Sequence, residues 1–433
     1  MKLFNPFKKK SISERDQEAI WHPLTQHKTS GDLLAIKKAK GAILTDENGK
    51  EYIDGIASWY TSMYGHCHPT IIQKVNQQMK TLDQIVFSGF THEPAVILAE
   101  KLLEILPNNQ KKLFFNDNGS TATEIGIKMA IQFHHNQGEK RKVMLAFEEG
   151  FHGDTFGAMS VSGLSVYNGA FEDHFIEVIR LPKPMGFNNQ EIIDQLENLI
   201  QHNAIAGFIY EPLVQGAAAM KTYSKDGLEK ILELCKKHQI ICIADEVMTG
   251  FGKTGKNFAS DYLQNKPDVI CLSKALSAGM VPMGITSCSM EIYQAFYADE
   301  IEKGLFHGHT YTGNPLACAA AIAGLELLKS TAIQKNIQHI IVSHQQFANE
   351  MRNHPKVSEV RQIGVILAID LAIEMKRYGN LRDKMFNFFM ENGVFLRPLG
   401  NTIYTLPPYV IKNDELEKIY TVIKKCINEV VLN

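Results

Sequence analysis

The chain has 433 residues, 45% of them hydrophobic and 21% charged, with a formal net charge of −2. That is enough chain to bury a large core in about two or three domains. The near-neutral balance excludes nucleic acid as a default partner, and no apolar run is long enough to span a bilayer.

The N-terminus, MKLFNPFKKK, is basic but has no continuous apolar segment or small-residue cleavage site, so no secretory leader is expected. Residues 1–56 read as a polar, partly irregular arm followed by a segment that joins a small domain. Within them, Asp46-Glu47-Asn48-Gly49 is a turn signal between two short β-like runs, which predicts a hairpin. From about Pro69 to Leu106 the pattern is helical. Short apolar runs then alternate with helical stretches: KKLFFN, TATEIGIKMAIQF, KVMLAF, AIAGFIYE, DGLEKILELCKKH, QIICIADE and PDVICLS. This alternation predicts an α/β fold over residues 57–329, a mostly parallel sheet covered by helices. Residues 330–433 read as a smaller α+β domain. Its strand candidates are GVILAIDLA and VFLRPLGNTIYTLP, and its last helix is DELEKIYTVIKKCINEV. The seven cysteines are scattered, odd in number and form no CxxC pair, so reduced thiols in a cytoplasmic protein are expected.

Two strands end in residues of complementary chemistry. QIICIADE ends in Asp245-Glu246 and DVICLS is followed by Lys274. Open α/β sheets bind ligands at the carboxyl ends of their strands. A lysine and a carboxylate there suit pyridoxal phosphate (PLP). The amine condenses with the aldehyde, and the carboxylate pairs with the protonated pyridine nitrogen. A buried Asp245 beside that positive ring stays ionised. Asn118-Gly119-Ser120-Thr121 follows a strand and opens a helix, where hydroxyls and free amides can hold a phosphate; the same residues also suit an ordinary helix cap. Phe151, in GFHGDT, can stack on a flat ring or simply fill core.

Two other patterns carry less. Gly250 to Asn257 nearly fits a nucleotide-binding P-loop, but Asn257 offers no hydroxyl and Asp245-Glu246 would repel a triphosphate. His66 and His68 flank Cys67 and point to opposite sides of an extended chain, so loop packing outweighs a metal site. His307 and His309 read the same way, and no metal is expected.

Taken in order, GS, GFHGDT, EPLVQG, ADEVMTGFGKTG, LSKAL and HGHTYTGNPLACA resemble the class III, or omega, aminotransferases of PLP fold type I. The resemblance runs from about Trp21 to the end. Trp21-His22-Pro23, Ser58-Trp59, GFHGDTFGAMSVSG and Leu396-Arg397-Pro398 followed by Tyr404 point within that family to members that aminate 8-amino-7-oxononanoate in biotin biosynthesis.

The resemblance implies a role for each residue. Lys274 binds the cofactor and shuttles the proton, and Asp245 pairs with the ring nitrogen. Gly119 and Ser120 hold the phosphate. Phe151 and Val247 cover the two ring faces, with His152 beside them. Thr310 reaches the partner subunit's cofactor phosphate in a homodimer. Trp59, Phe151, Lys253, Gly308 and Tyr404 line the substrate pocket, and Arg397 takes a substrate carboxylate.

Four positions depart from the family's pattern: Leu24 and Phe151 replace tyrosines, Lys253 an arginine and His309 a proline. The expected reaction is a two-stage transamination to 7,8-diaminononanoate, with S-adenosylmethionine or, alternatively, lysine as donor. Other omega-aminotransferases, of the 4-aminobutyrate or ornithine type, share the core motifs, as do aminomutases. A non-catalytic protein of the same fold would be expected to lack Lys274 or Asp245.

Overall fold

A computed structural model describes residues 10–31, 33–165, 168–373 and 379–431. The leader reading on residues 1–9 lies outside them. The central sheet has seven strands, in spatial order Gln110–Asn116, Gly284–Ser289, Val269–Leu272, Ile241–Asp245, Ile205–Tyr210, Val143–Phe147 and Val178–Leu181. Neighbours run parallel except Gly284–Ser289, which is antiparallel to both of its own.

The inner strands are buried at every position because both faces are covered. Alternation along Ile241–Asp245 divides the side chains between two cores. Ile241 and Ile243 pack with Ala122 and Ile125 of the helix Gly119–Asn136. Cys242 and Ala244 pack with Leu228 and Ile231 of the helix Lys225–Lys237. That second helix is capped by Ser224, with Asp226 in its first turn and Lys236 and Lys237 in its last, where each charge favours the helix dipole. Asp245, two residues past Ile243, falls on the face of Gly119–Asn136.

The helical pattern over 69–106 resolves into two helices, Pro69–Met79 and Glu93–Leu103. His92 Nδ1 accepts the Ala95 amide and Pro94 occupies the first turn, so a second helix starts afresh. The hairpin forms as the turn signal requires. Asp46 Oδ1 takes the amides of Asn48 and Lys50, both at 2.9 Å, and Ile43–Asp46 pairs antiparallel with Glu51–Asp54.

The candidate strand VFLRPLGNTIYTLP is split. Val394–Phe395 runs parallel to Glu51–Asp54, completing a four-stranded sheet with the N-terminal segment. Thr402–Thr405 joins Ile366–Leu371 and Val357–Ile363 in a separate antiparallel sheet. Pro398 has no amide for a ladder and Gly400 turns with φ +62°, so one strand cannot run through.

Arg361 ties that three-stranded sheet to the rest. It holds Asp370 through two bonds of 2.6 and 2.7 Å and donates to the carbonyls of Ala219 and Met220. Among the described residues, no single helix is long and apolar enough to cross a membrane.

Candidate active site

Three adjacent parallel strands deliver the reactive groups at their carboxyl ends. Ile205–Tyr210 is followed by Glu211, Ile241–Asp245 ends in the aspartate, and Val269–Leu272 leads through Ser273 to Lys274. Asp245 is 3% exposed. Its Oδ2 pairs with His152 Nδ1 at 2.7 Å, and its Oδ1 accepts the Val247 amide at 3.0 Å. A neutral His152 that donates from Nδ1 has a bare Nε2, and that buried nitrogen has no partner among the described residues.

Glu211 lies behind this pair. It accepts the amides of Phe151 (3.0 Å) and Gly216 (2.9 Å). Burial pushes its carboxyl up to about 7; Asp245 reinforces the rise, while His152 and the two amides oppose it. A raised carboxyl stabilises the fold in its protonated form. That contribution is whole below the ordinary value of 4.5 and is lost as pH climbs through about 7. In cofactor-free protein, the stability advantage of wild type over Glu211→Gln should therefore shrink by about 3 kcal/mol across that interval. Urea unfolding at stepped pH measures it, and two curves that stay parallel would refute it.

The helix Gly119–Asn136 opens beside Asp245. Asn118 caps it, with reciprocal bonds to Thr121. Among the described residues, the amides of Gly119 and Ser120 have no partner and point out of the helix start. Two glycines keep this end open. A Cβ at Gly119 would meet Val247 Cγ1 at 3.0 Å, and one at Gly153 (φ +127°) would meet Ser120 Oγ at 2.1 Å. Ser120 Oγ in turn accepts the Asp154 amide at 3.2 Å. A pair of free amides, a buried carboxylate, an unpartnered imidazole nitrogen and a nearby lysine fit the phosphate, ring nitrogen and aldehyde of pyridoxal phosphate.

Lys274 leaves its strand with φ +51°, and its Nζ lies 5.2 Å from the centre of the Tyr60 ring. Burial lowers its pKa, with Asp245 and Glu211 opposing. Tyr60 and Trp59 are presented by an unusual turn. Ala57 to Tyr60 all have positive φ, at 47°, 52°, 78° and 70°. Left-handed backbone costs non-glycine residues roughly 1–2 kcal/mol each. The turn is held by Tyr60 N to Ile56 O and Thr61 N to Ala57 O, both 2.9 Å, and by the Tyr60 hydroxyl on Tyr404. Strain of this kind persists where surrounding structure overdetermines it, typically at working sites. The guanidinium carbon of Arg397 lies 5.0 Å from the centre of the Trp59 ring.

The structure thus brings Trp59, Arg397, Tyr404 and Lys274 into one cluster through Tyr60, and Asp245, His152 and Val247 into another. Phe151 is 39% exposed, with an uncovered ring surface. Lys253 is wholly buried and donates to the Gly250 carbonyl at 3.0 Å. Its ammonium is lowered to about 7 by burial and by Lys274, against Glu246. The near-P-loop around it closes on itself, Gly252 N to Asn257 O.

Gly308 and Thr310 are exposed on a loop, and the Thr310 carbonyl accepts from Gln84 at 3.0 Å. On the same loop, His309 bonds His307 (2.8 Å) and lies 3.5 Å from Asp117. His66 pairs with Asp54 at 2.7 Å. Leu24 is exposed with φ +50°.

Glu211 and Tyr60 are the residues that sequence reasoning passed over. Glu211 carried a signal, an acid directly after a buried strand, as at Asp245. Tyr60 carried none, because nothing in its neighbourhood announces a left-handed turn.

The chain matches the family described as Aminotransferase class-III over residues 25–427. It is 40% identical to the adenosylmethionine-8-amino-7-oxononanoate aminotransferase of Synechococcus elongatus, over 95% of this chain and 99% of that protein. With the protein of the same name from Geobacter sulfurreducens it shares 36%, covering 97% and 98%. A crystal structure of the enzyme of that name from Methanocaldococcus jannaschii superposes with a TM-score of 0.89 at 33% identity, covering 95% and 98%. The PMP-bound form of an aminotransferase from Vibrio fluvialis gives 0.90 at 25%, covering 98% and 99%.

Proposed function

The chain belongs to the class III aminotransferases, and from that premise we propose that it transfers an amino group to 8-amino-7-oxononanoate, forming the 7,8-diaminononanoate of biotin biosynthesis, with S-adenosylmethionine as donor. The observation that carries the substrate is full-length identity to relatives bearing that name. The cofactor is pyridoxal phosphate, which when bound supplies an aldehyde for the amino group and a ring that accepts electrons.

Each residue of the chain then has a task. Lys274 Nζ would hold the cofactor through its aldehyde and, when freed, carry a proton to and from the substrate carbon. Asp245, aligned by His152, keeps a proton on the ring nitrogen. The Gly119 and Ser120 amides hold the phosphate, and Phe151 and Val247 flank the ring. Arg397, backed by Trp59, takes the substrate carboxylate with a planar, always-charged fork. Trp59 and Tyr404 shape the pocket around it.

Thr310 and Gly308 serve the site of a second subunit in a homodimer. The exposed Phe306 and Tyr311 on the same loop support that reading. The arm and segment 1–56 belong with 330–433, as the strand pairing across them supports, and 57–329 forms the cofactor domain. Seven free cysteines, six of them buried, support a cytoplasmic location.

Lysine as donor is a second reading. It is favoured by Phe151, which brings no hydroxyl to the site, and by Lys253, whose ammonium faces Gly250 rather than the pocket. Mass spectrometry of purified, cofactor-loaded protein incubated with 8-amino-7-oxononanoate and either donor decides. Diaminononanoate is expected with S-adenosylmethionine. Product with lysine alone changes the donor, and no product with either overturns the substrate.

A further inference from the structure

Tyr60 lies between the reacting lysine and the substrate end of the site. Its ring faces Lys274 Nζ, and its hydroxyl donates to the Tyr404 hydroxyl at 2.8 Å. Both side chains are buried. Burial pushes the Tyr60 phenol well above its ordinary value, and Tyr404 reinforces this; Arg397 and Trp59 oppose. Burial also raises Tyr404, to about 12. Both phenols therefore hold their protons, and each has one to give.

The single proton of the Tyr60 hydroxyl goes to Tyr404. Tyr404 is thereby fixed as the acceptor of that bond, so its own proton must point elsewhere. Among the described residues, none takes it. Of the charged groups nearby, Arg397 offers only donors, and the Asp54 carboxylate oxygens are engaged by the Ile56 amide and His66. The cluster presents a neutral O–H and a guanidinium, neither with an acceptor among the described residues.

We propose that Tyr60 is a positioning residue for the amino acceptor: its hydroxyl fixes Tyr404 as an O–H donor, which with Arg397 binds a carboxylate or carbonyl oxygen of that substrate. The inference rests on the function proposed above. Because Tyr60 acts through Tyr404, its removal matters only while the Tyr404 hydroxyl is present.

A double-mutant cycle of Tyr60→Phe and Tyr404→Phe in the loaded enzyme tests this, with acceptor affinity from calorimetry, kcat and KM from turnover, and melting temperature as a control for folding. Tyr60→Phe should weaken acceptor binding about five-fold and Tyr404→Phe about ten-fold, with kcat within about two-fold of wild type. The double variant should match Tyr404→Phe alone. Additive losses, unchanged affinity in Tyr60→Phe, or a loss confined to kcat would overturn the inference. Wild type that takes a 4-aminobutyrate or ornithine donor with pyruvate, but not 8-amino-7-oxononanoate, would overturn the proposed substrate instead. The cycle then reads on the acceptor used, since the coupling of the two hydroxyls does not depend on which oxygen they bind.

Discussion

Lys274→Ala is expected to lower turnover by about 10⁴-fold or more and to abolish the link between chain and cofactor that borohydride traps. The position is set by two local features. Val269–Leu272 is buried at every residue and runs parallel to Ile241–Asp245, so its carboxyl end opens onto the same crevice as Asp245. Lys274 then turns out of the strand with φ +51°, which aims its side chain across the Tyr60 ring. Among the described residues, the ammonium has no hydrogen-bond or ion-pair partner of its own. Burial lowers its pKa, which favours the neutral amine that acts as nucleophile and base. Alanine supplies neither role, and no other lysine can substitute: Lys253 is held against the Gly250 carbonyl. Reduction followed by peptide mass spectrometry should place the adduct at Lys274 in wild type. A variant that still turned over, or still trapped cofactor at this peptide, would remove Lys274 from the mechanism.

Asp245→Asn should cost roughly 10³-fold in turnover while the protein still folds. The amide keeps an acceptor for the Val247 N–H, so the strand end remains in place. What it loses is a buried negative charge. In the proposed pairing that charge would keep the pyridine nitrogen protonated; an amide would not, and the ring would be a poorer electron acceptor. His152, which the carboxylate aligns at 2.7 Å, loses its strongest partner as well. The measurement is kcat beside the affinity for pyridoxal phosphate: kcat should collapse, and affinity should fall far less, because in the proposed site the helix start would hold the phosphate. A variant with near-normal kcat would exclude the proposed pairing.

The parts of the site on single strands and helix starts are legible in the amino-acid sequence. A buried strand is a short apolar run, and the charged residues after it mark the carboxyl end, which places Asp245 and Lys274; their roles are what the family resemblance implies. Asn118-Gly119-Ser120 is similarly a cap signal next to an apolar run. Glu211 obeys the same rule and is readable in the same way. The hairpin at Asp46–Gly49 is fixed by local turn chemistry. The strand over Val394–Pro407 misleads because its apolar residues are continuous enough to suggest one element. Only the pairing partners, one sheet for Val394–Phe395 and another for Thr402–Thr405, reveal two.

The sequence by itself determined the covering of a mostly parallel sheet by helices and the placing of Asp245 and Lys274 at strand ends, because apolar periodicity and strand ends are local properties of the chain. Only the tertiary structure decided the Tyr60–Tyr404 contact. The two residues are 344 positions apart, and their contact depends on how the turn at 57–60 packs against the strand Thr402–Thr405. The left-handed turn that aims Trp59 and Tyr60 is unfavourable on its own and exists because that packing holds it. Lys253 makes the same point. Its ammonium is buried against the Gly250 carbonyl, a contact no local pattern encodes.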